Sequence, residues 1–141
     1  MEPNTPPPAG PPLETLWLTL FSSSLVFGIA LIVIALLLDR EPFAPAWRDA
    51  TLFLTGLSVL PSILMRRHWR GRLTARRPDT EGQSFPPLHM QLVLGLALAD
   101  LPALAGFFHY LATGELFVPV AGCVATVVIG YLYRPTTGLR A

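Results

Sequence analysis

From Thr15 to Leu38 the chain carries no charged residue, and the stretch ends in LVFGIALIVIALLL. At ~1.5 Å per residue, a helix over this run is longer than the ~30 Å hydrocarbon core of a bilayer. It reads as a membrane-crossing segment, and composition agrees. The 141 residues are 52% hydrophobic and 13% charged, with a mean hydropathy of +0.51. An average soluble domain has roughly 45–50% and about 25%. The polar surface is too small to cover a water-soluble globule. A lone cysteine, Cys123, and a net charge of +1 do not fit a disulfide scaffold or a nucleic-acid binder.

Four spans are predicted, at residues 13–38, 47–65, 87–111 and 115–133. They make an all-α, four-transmembrane-helix bundle built from two helical hairpins, within a single membrane domain at 13–135. The second span has a short uncharged stretch and contains Pro61, which removes a backbone hydrogen bond and calls for a kink or for neighbours. In the third, Pro86 and Pro87 suit the first turn and Pro102 interrupts the middle. Pro119 lies in the first turn of the fourth, where proline does least harm. Residues 1–12 hold six prolines and one charge, so they are expected to run as an extended tail. That tail has no Lys or Arg, and the apolar run behind it is too long for a cleavable signal, so the first span is expected to remain uncleaved. Residues 136–141 form a short tail.

Orientation follows from arginine, because loops rich in basic residues stay on the cytoplasmic side. The loop at 66–86 carries Arg66, Arg67, Arg70, Arg72, Arg76 and Arg77, and the C-terminal tail adds Arg134 and Arg140. Asp39, Glu41, Asp49 and Glu115 gather on the other side with Arg40 and Arg48. The expected protein is therefore a multi-pass component of a bacterial inner membrane, with both termini in the cytoplasm. The six loop arginines hold the loop inside and are expected to meet anionic lipid headgroups. Trp17, Trp47, Trp69, Tyr110, Tyr131 and Tyr133 fall near span ends, where amphipathic rings favour the interface.

Asp100 is the sharpest chemical feature. A carboxylate at a helix centre costs about 2.5–3.5 kcal/mol on insertion scales, and such residues usually face a bundle interior or an aqueous path. Two readings stand. In one, Asp100 is a proton or cation site. In the other it is a buried acid that joins helices by hydrogen bonding, through Thr51, Thr55, Ser58, Ser62 or Thr126. The surrounding stretch GLALADLPALAG, residues 95–106, resembles the carboxylate-bearing helix of rotary ATPase ring proteolipids, with Asp100 and Gly106 at the matching spacing. The resemblance implies that Asp100 carries a proton. Span one departs from that family: it has Gly28 and Ser22 to Ser24 followed by bulky residues, where those proteolipids have a glycine-rich helix. The acid-x-x-A-x-x-G phrase is also similar to that of small four-span bacterial membrane proteins of unassigned activity, which match the overall layout.

Small residues recur every four positions at Gly95, Ala99 and Ala103, and again at Gly122, Thr126 and Gly130. Each stripe lets another backbone approach closely, and the two helices of the second hairpin are the natural partners. His68, His89 and His109 have no metal-ligand spacing and are read as interfacial. Cys123 reads as a small buried hydrophobe, and Ser22 to Ser24 as bonding back to their own helix. No cofactor, metal or nucleic-acid partner is expected. The chain is expected to be a non-enzymatic membrane protein acting by helix packing, as a homo-oligomer or within a larger membrane complex. The competing class is a transporter-like proton or cation pathway at Asp100.

Overall fold

The structure, a computed structural model of the chain, describes residues 12–38, 41–74 and 88–135. Among them the regular structure is helical throughout, arranged as four rods. The first is α1, Leu13–Leu37, entered directly from Pro12 in an extended conformation. A short 3-10 turn at Pro45–Trp47 leads into α2, Arg48–Leu57, and α3, Val59–Thr74, which continue one another as the second rod. The third rod is α4, Leu88–Ala99, followed by α5, Leu101–Thr113, and the fourth is α6, Phe117–Leu132.

Both internal breaks have the same cause. Pro61 cannot donate to the carbonyl of Leu57, and the helix is interrupted at Ser58, whose hydroxyl donates to the Thr55 carbonyl at 2.6 Å. Pro102 likewise leaves the carbonyl of Leu98 without its helical donor, and the interruption falls on Asp100. Pro119 lies in the first turn of α6 and breaks nothing. The turn from α5 to α6 closes on Gly114, the one described residue with positive φ (78°), whose N–H donates to the Tyr110 carbonyl at 2.7 Å. This is the left-handed stop that glycine adopts at low cost.

The second expected hairpin forms, with α5 and α6 the most closely packed pair of helices in the molecule. The first does not. α1 packs on α6, α4 and α5, the α2–α3 rod packs on the α4–α5 rod and α6, and the two share little contact with each other. The connection between them crosses the end of α5 instead. Phe43 and Ala44 donate backbone hydrogen bonds to the carbonyls of Leu111 and Ala112 at 3.5 and 3.1 Å, which are orphan acceptors at a helix terminus. Two hairpins is thus corrected to one hairpin with a separate helix on each side of it. The second rod also continues past the expected span end at Met65, through Arg66, Arg67, Arg70 and Arg72 to Thr74, so that part of the expected loop is helix.

The core is apolar, around Trp17, Leu92, Leu96, Ile129 and Tyr133, but it also takes in polar groups while many large apolar side chains stay outside. Thr51, Thr55, Ser62, His109 and Thr126 are buried, whereas Val26, Phe53 and Phe117 are 66%, 72% and 81% exposed. Leu18, Ile29 and Leu36 on α1, Leu64 on α3 and Val124 and Val128 on α6 also face outward. Among the described residues two helical segments are long and apolar enough to cross a membrane: Leu13–Leu37, with mean hydropathy 2.6, and His89–Thr113 of the α4–α5 rod, with 1.7. Phe117–Leu132 is apolar but spans only 16 residues.

Three aromatic residues expected at an interface turn inward. Trp17 Nε1 donates to the Gly130 carbonyl at 3.0 Å, and Tyr133 Oη, fully buried, donates to the Ser62 carbonyl at 2.6 Å. Tyr110 Oη donates to the Ala35 carbonyl at 2.6 Å, at the open end of α1. Each bond ties two rods, because a buried ring needs a partner for its polar tip. Trp47 and Tyr131 remain outward.

Candidate functional site

Asp100 sits at the break between α4 and α5, facing α1. Its Oδ2 accepts a hydrogen bond from Ser24 Oγ at 3.1 Å, and Oδ1 is buried without a partner among the described residues. The acceptor role is the one expected, but the donor is not. Thr55 and Ser58 donate to carbonyls of their own helix, at 2.9 and 2.6 Å, and Thr51 Oγ1 lies 2.9 Å from the Trp47 carbonyl, turned away from Asp100. The Ser62 and Thr126 hydroxyls are buried elsewhere with no partner among the described residues. The α2–α3 rod lies across α4–α5 from α1, so its hydroxyls are on the wrong side. Ser22 bonds back to the Thr19 carbonyl at 2.9 Å as expected of that run, whereas Ser24 turns towards the acid.

Beside this pair, α1 and the α4–α5 rod leave an open groove of about 400 Å³. Leu20 and Phe27 of α1 line it with Val93, Leu96 and Leu104, while Ser24 and Asp100 supply polar atoms. Among the described residues no arginine or histidine pairs with Asp100. A second groove of about 330 Å³ lies on the other flank of α1, against α6. Ser24 lines both, so this one side chain stands between the two clefts.

The small-residue stripes fall into separate contacts. Ala103 and Gly122 meet at the α5–α6 crossing: a Cβ added at Gly122 would collide with the Pro102 carbonyl oxygen and lie 3.4 Å from the Ala103 Cα. Gly95 lies under the Tyr133 ring, and Gly130 faces Phe21 and Leu96. Ala99 belongs to the buried cluster around Leu92 and Leu96. Thr126 is buried and lines the groove between α1 and α6. A second close approach, absent from the stripe pattern, occurs at Gly106, where an added Cβ would stand 2.9 Å from both the Pro119 Cα and the Val118 carbonyl oxygen. The signal was the equal spacing of Gly106 and Gly122 about the turn at Gly114.

The arginines divide. Arg66 Nε donates to the Leu132 carbonyl at 3.2 Å, where a cation suits the C-terminal end of α6. Arg67 is exposed. Arg70 and Arg72 lie in the backbone of α3, and Arg76 and Arg77 lie outside the described residues. Arg134 adds a further cation at the same end, its guanidinium 5.8 Å from the centroid of the Trp17 ring.

At the opposite end is a cluster that no spacing in the sequence announces. His109, fully buried, has Nδ1 2.8 Å from Thr51 Oγ1 and Nε2 3.6 Å from Glu115 Oε2. Glu115 pairs with Arg48 at 2.6 Å. Thr51, His109, Glu115 and Arg48 thus adjoin one another between the start of α2 and the α5–α6 turn, with His109 Nε2 lacking a hydrogen-bond partner among the described residues and only Glu115 and Arg48 open to solvent. Thr51 has one hydroxyl hydrogen. If it goes to the Trp47 or Arg48 carbonyl, the His109 Nδ1–H must donate to Thr51; if it goes to Nδ1, the Nε2–H points at Glu115. His109 is thus a core residue rather than the interfacial one expected, and among the described residues no group of three His, Cys, Asp or Glu side chains could hold a metal. Cys123 is buried, its Sγ 3.5 Å from the Gly28 carbonyl.

Compared with protein-family models, curated proteins and solved structures, the chain matches none.

Proposed function

We propose that the protein is an integral membrane protein of four spans that acts by helix packing, as an accessory or self-associating component without enzymatic activity. The observation that carries this reading is the apolar exterior: large apolar side chains face outward on every rod, while Thr51, Thr55, Ser62, His109 and Thr126 are buried. In water such an exterior would drive aggregation, whereas hydrocarbon accepts it. Two rods are of spanning length and hydropathy, and the other two lie alongside them. The close backbone approaches at Gly106 and Gly122 belong to the same style of association, in which small residues replace the hydrophobic effect that lipid removes. The grouping of Arg66 and Arg134 at one end of the molecule supports a cytoplasmic placement of that end, and with it cytoplasmic termini and contact with anionic headgroups.

Purification into lipid nanodiscs with light scattering tests it. A homogeneous assembly of copies, or a stable complex with another membrane protein, is the expected outcome; a strictly monomeric protein without a partner contradicts the reading.

One observation favours a second reading, a proton or cation site at Asp100. Its carboxyl has a single hydrogen-bond donor among the described residues and borders an open groove. Asp100→Asn keeps the shape and abolishes titration. Loss of a cation-dependent flux in vesicles, with the amount of folded protein unchanged, supports this reading; unchanged flux contradicts it.

A further inference from the structure

We propose that the groove between α1 and the α4–α5 rod binds hydrophobic organic cations, with Asp100 as the counter-ion. This rests on the membrane reading and narrows the second reading of Asp100 to a class of ligand.

Three features select that class. The groove, at about 400 Å³, is within the ~300–1,000 Å³ of small-molecule clefts. Its walls are apolar: Leu20, Val93, Leu96 and Leu104 offer surface to hydrocarbon groups, and Phe27 adds an aromatic ring of the kind that attracts cations. The one ionisable group lining it is Asp100, which no cationic side chain among the described residues neutralises.

The same features exclude small hard cations. Ca²⁺ takes roughly 6–8 oxygen ligands, and Mg²⁺ keeps much of its water shell. Here the polar side chains of the lining are Ser23, Ser24 and Asp100, and the rest is hydrocarbon. A strongly hydrated ion would lose water without replacement. A quaternary phosphonium or ammonium carrying aryl or alkyl groups loses little hydration and buries its apolar groups against the walls. Ser24 has a positioning role. Its hydroxyl donates to Oδ2 and fixes the carboxyl rotamer at the edge of the groove.

The test uses the full chain in nanodiscs of zwitterionic lipid, with radiolabelled tetraphenylphosphonium measured by equilibrium dialysis against empty nanodiscs. Neutral triphenylphosphine oxide is the competitor. Saturable binding is expected, displaced by unlabelled tetraphenylphosphonium but not by the neutral compound. Asp100→Asn should weaken it by about tenfold or more, as expected for removal of a counter-ion in a low-dielectric site. Asp100→Glu should retain most of it. Ala97→Phe, which fills the groove and leaves the acid in place, should abolish saturation. Circular dichroism and gel filtration verify that each variant is folded. Equal binding by wild type and Asp100→Asn overturns the proposal, as does equal competition by the neutral compound, or a groove occupied by a second copy whose dissociation leaves binding unchanged. Failure of the membrane reading is seen separately, as a protein that does not incorporate into nanodiscs.

Discussion

Gly122→Ala places one methyl group where the α5 and α6 backbones cross. The new Cβ would collide with the Pro102 carbonyl oxygen, stand 3.0 Å from the carbonyl carbon and 3.4 Å from the Ala103 Cα. None of these is the end of a flexible side chain that could swing aside. Carbon contacts are optimal near 3.5–4.0 Å, so the helices must separate by about 0.5–1 Å, which forfeits roughly a quarter to a half of each pairwise attraction at the crossing. Overpacking of this kind costs about 1–3 kcal/mol, against a gain of about 1 kcal/mol from the better helix propensity of alanine. The net effect is a loss of up to about 2 kcal/mol. Gly56→Ala is the internal control. Nothing lies within 4 Å of its Cβ position, so propensity acts alone and the variant should gain about 0.5–1 kcal/mol. Reversible unfolding in mixed detergent micelles, followed by tryptophan fluorescence, measures both. If Gly122→Ala is more stable than wild type, or no less stable than Gly56→Ala, the close-approach argument fails.

Three further outcomes follow from individual contacts. Asp100→Asn should preserve folding, because the amide oxygen still accepts from Ser24, whereas Asp100→Leu should lose about 0.6–2 kcal/mol in the same assay; equal stability of all three proteins refutes the hydrogen-bonding role. Tyr133→Phe keeps the ring over Gly95 and removes the bond to the Ser62 carbonyl, so a loss of about 0.5–1.5 kcal/mol is expected, with faster amide exchange near Ser62; no change in either measure argues against the tie. Thr51→Val strips His109 Nδ1 of its 2.8 Å partner in a site without water access and should cost about 1–3 kcal/mol. His109→Leu in that background should recover part of the loss, and a further loss in the double variant would mean that His109 is held by something other than Thr51.

The elements legible in the sequence are those whose signals are local. The uncharged run ending at Leu38 marks α1, Gly114 marks the turn, and Pro61 and Pro102 mark the breaks in the two rods. What could not be read depends on which helices touch. A short connection at 39–46 suggests a hairpin, but backbone donors at Phe43 and Ala44 find the carbonyl end of α5 and carry the chain across it. Ser24 is one of three adjacent serines, and only the rotation of α1 against α4–α5 decides which of them faces Asp100. Trp17, Tyr110 and Tyr133 stand at helix ends, where an interfacial ring and an inward donor look alike in sequence. His109 is illegible for a related reason: its position near a helix end says nothing about the α2 packing that buries it. Charge density marked Arg66 for a headgroup, yet the nearby end of α6 supplies a carbonyl that competes for it.

Cysteine accessibility mapping tests the proposed four-span topology most directly, and the decisive element is the α2–α3 rod, which falls outside the two helices of clear spanning length. Single substitutions Asn4→Cys, Phe43→Cys, Thr80→Cys and Thr137→Cys, each in a Cys123→Ala background, are labelled in intact cells with a membrane-impermeant maleimide. Phe43→Cys should react from outside, and the other three should react only after the membrane is opened. If Phe43→Cys and Thr80→Cys label from the same side, the α2–α3 rod does not cross the membrane, and the four-span account is wrong.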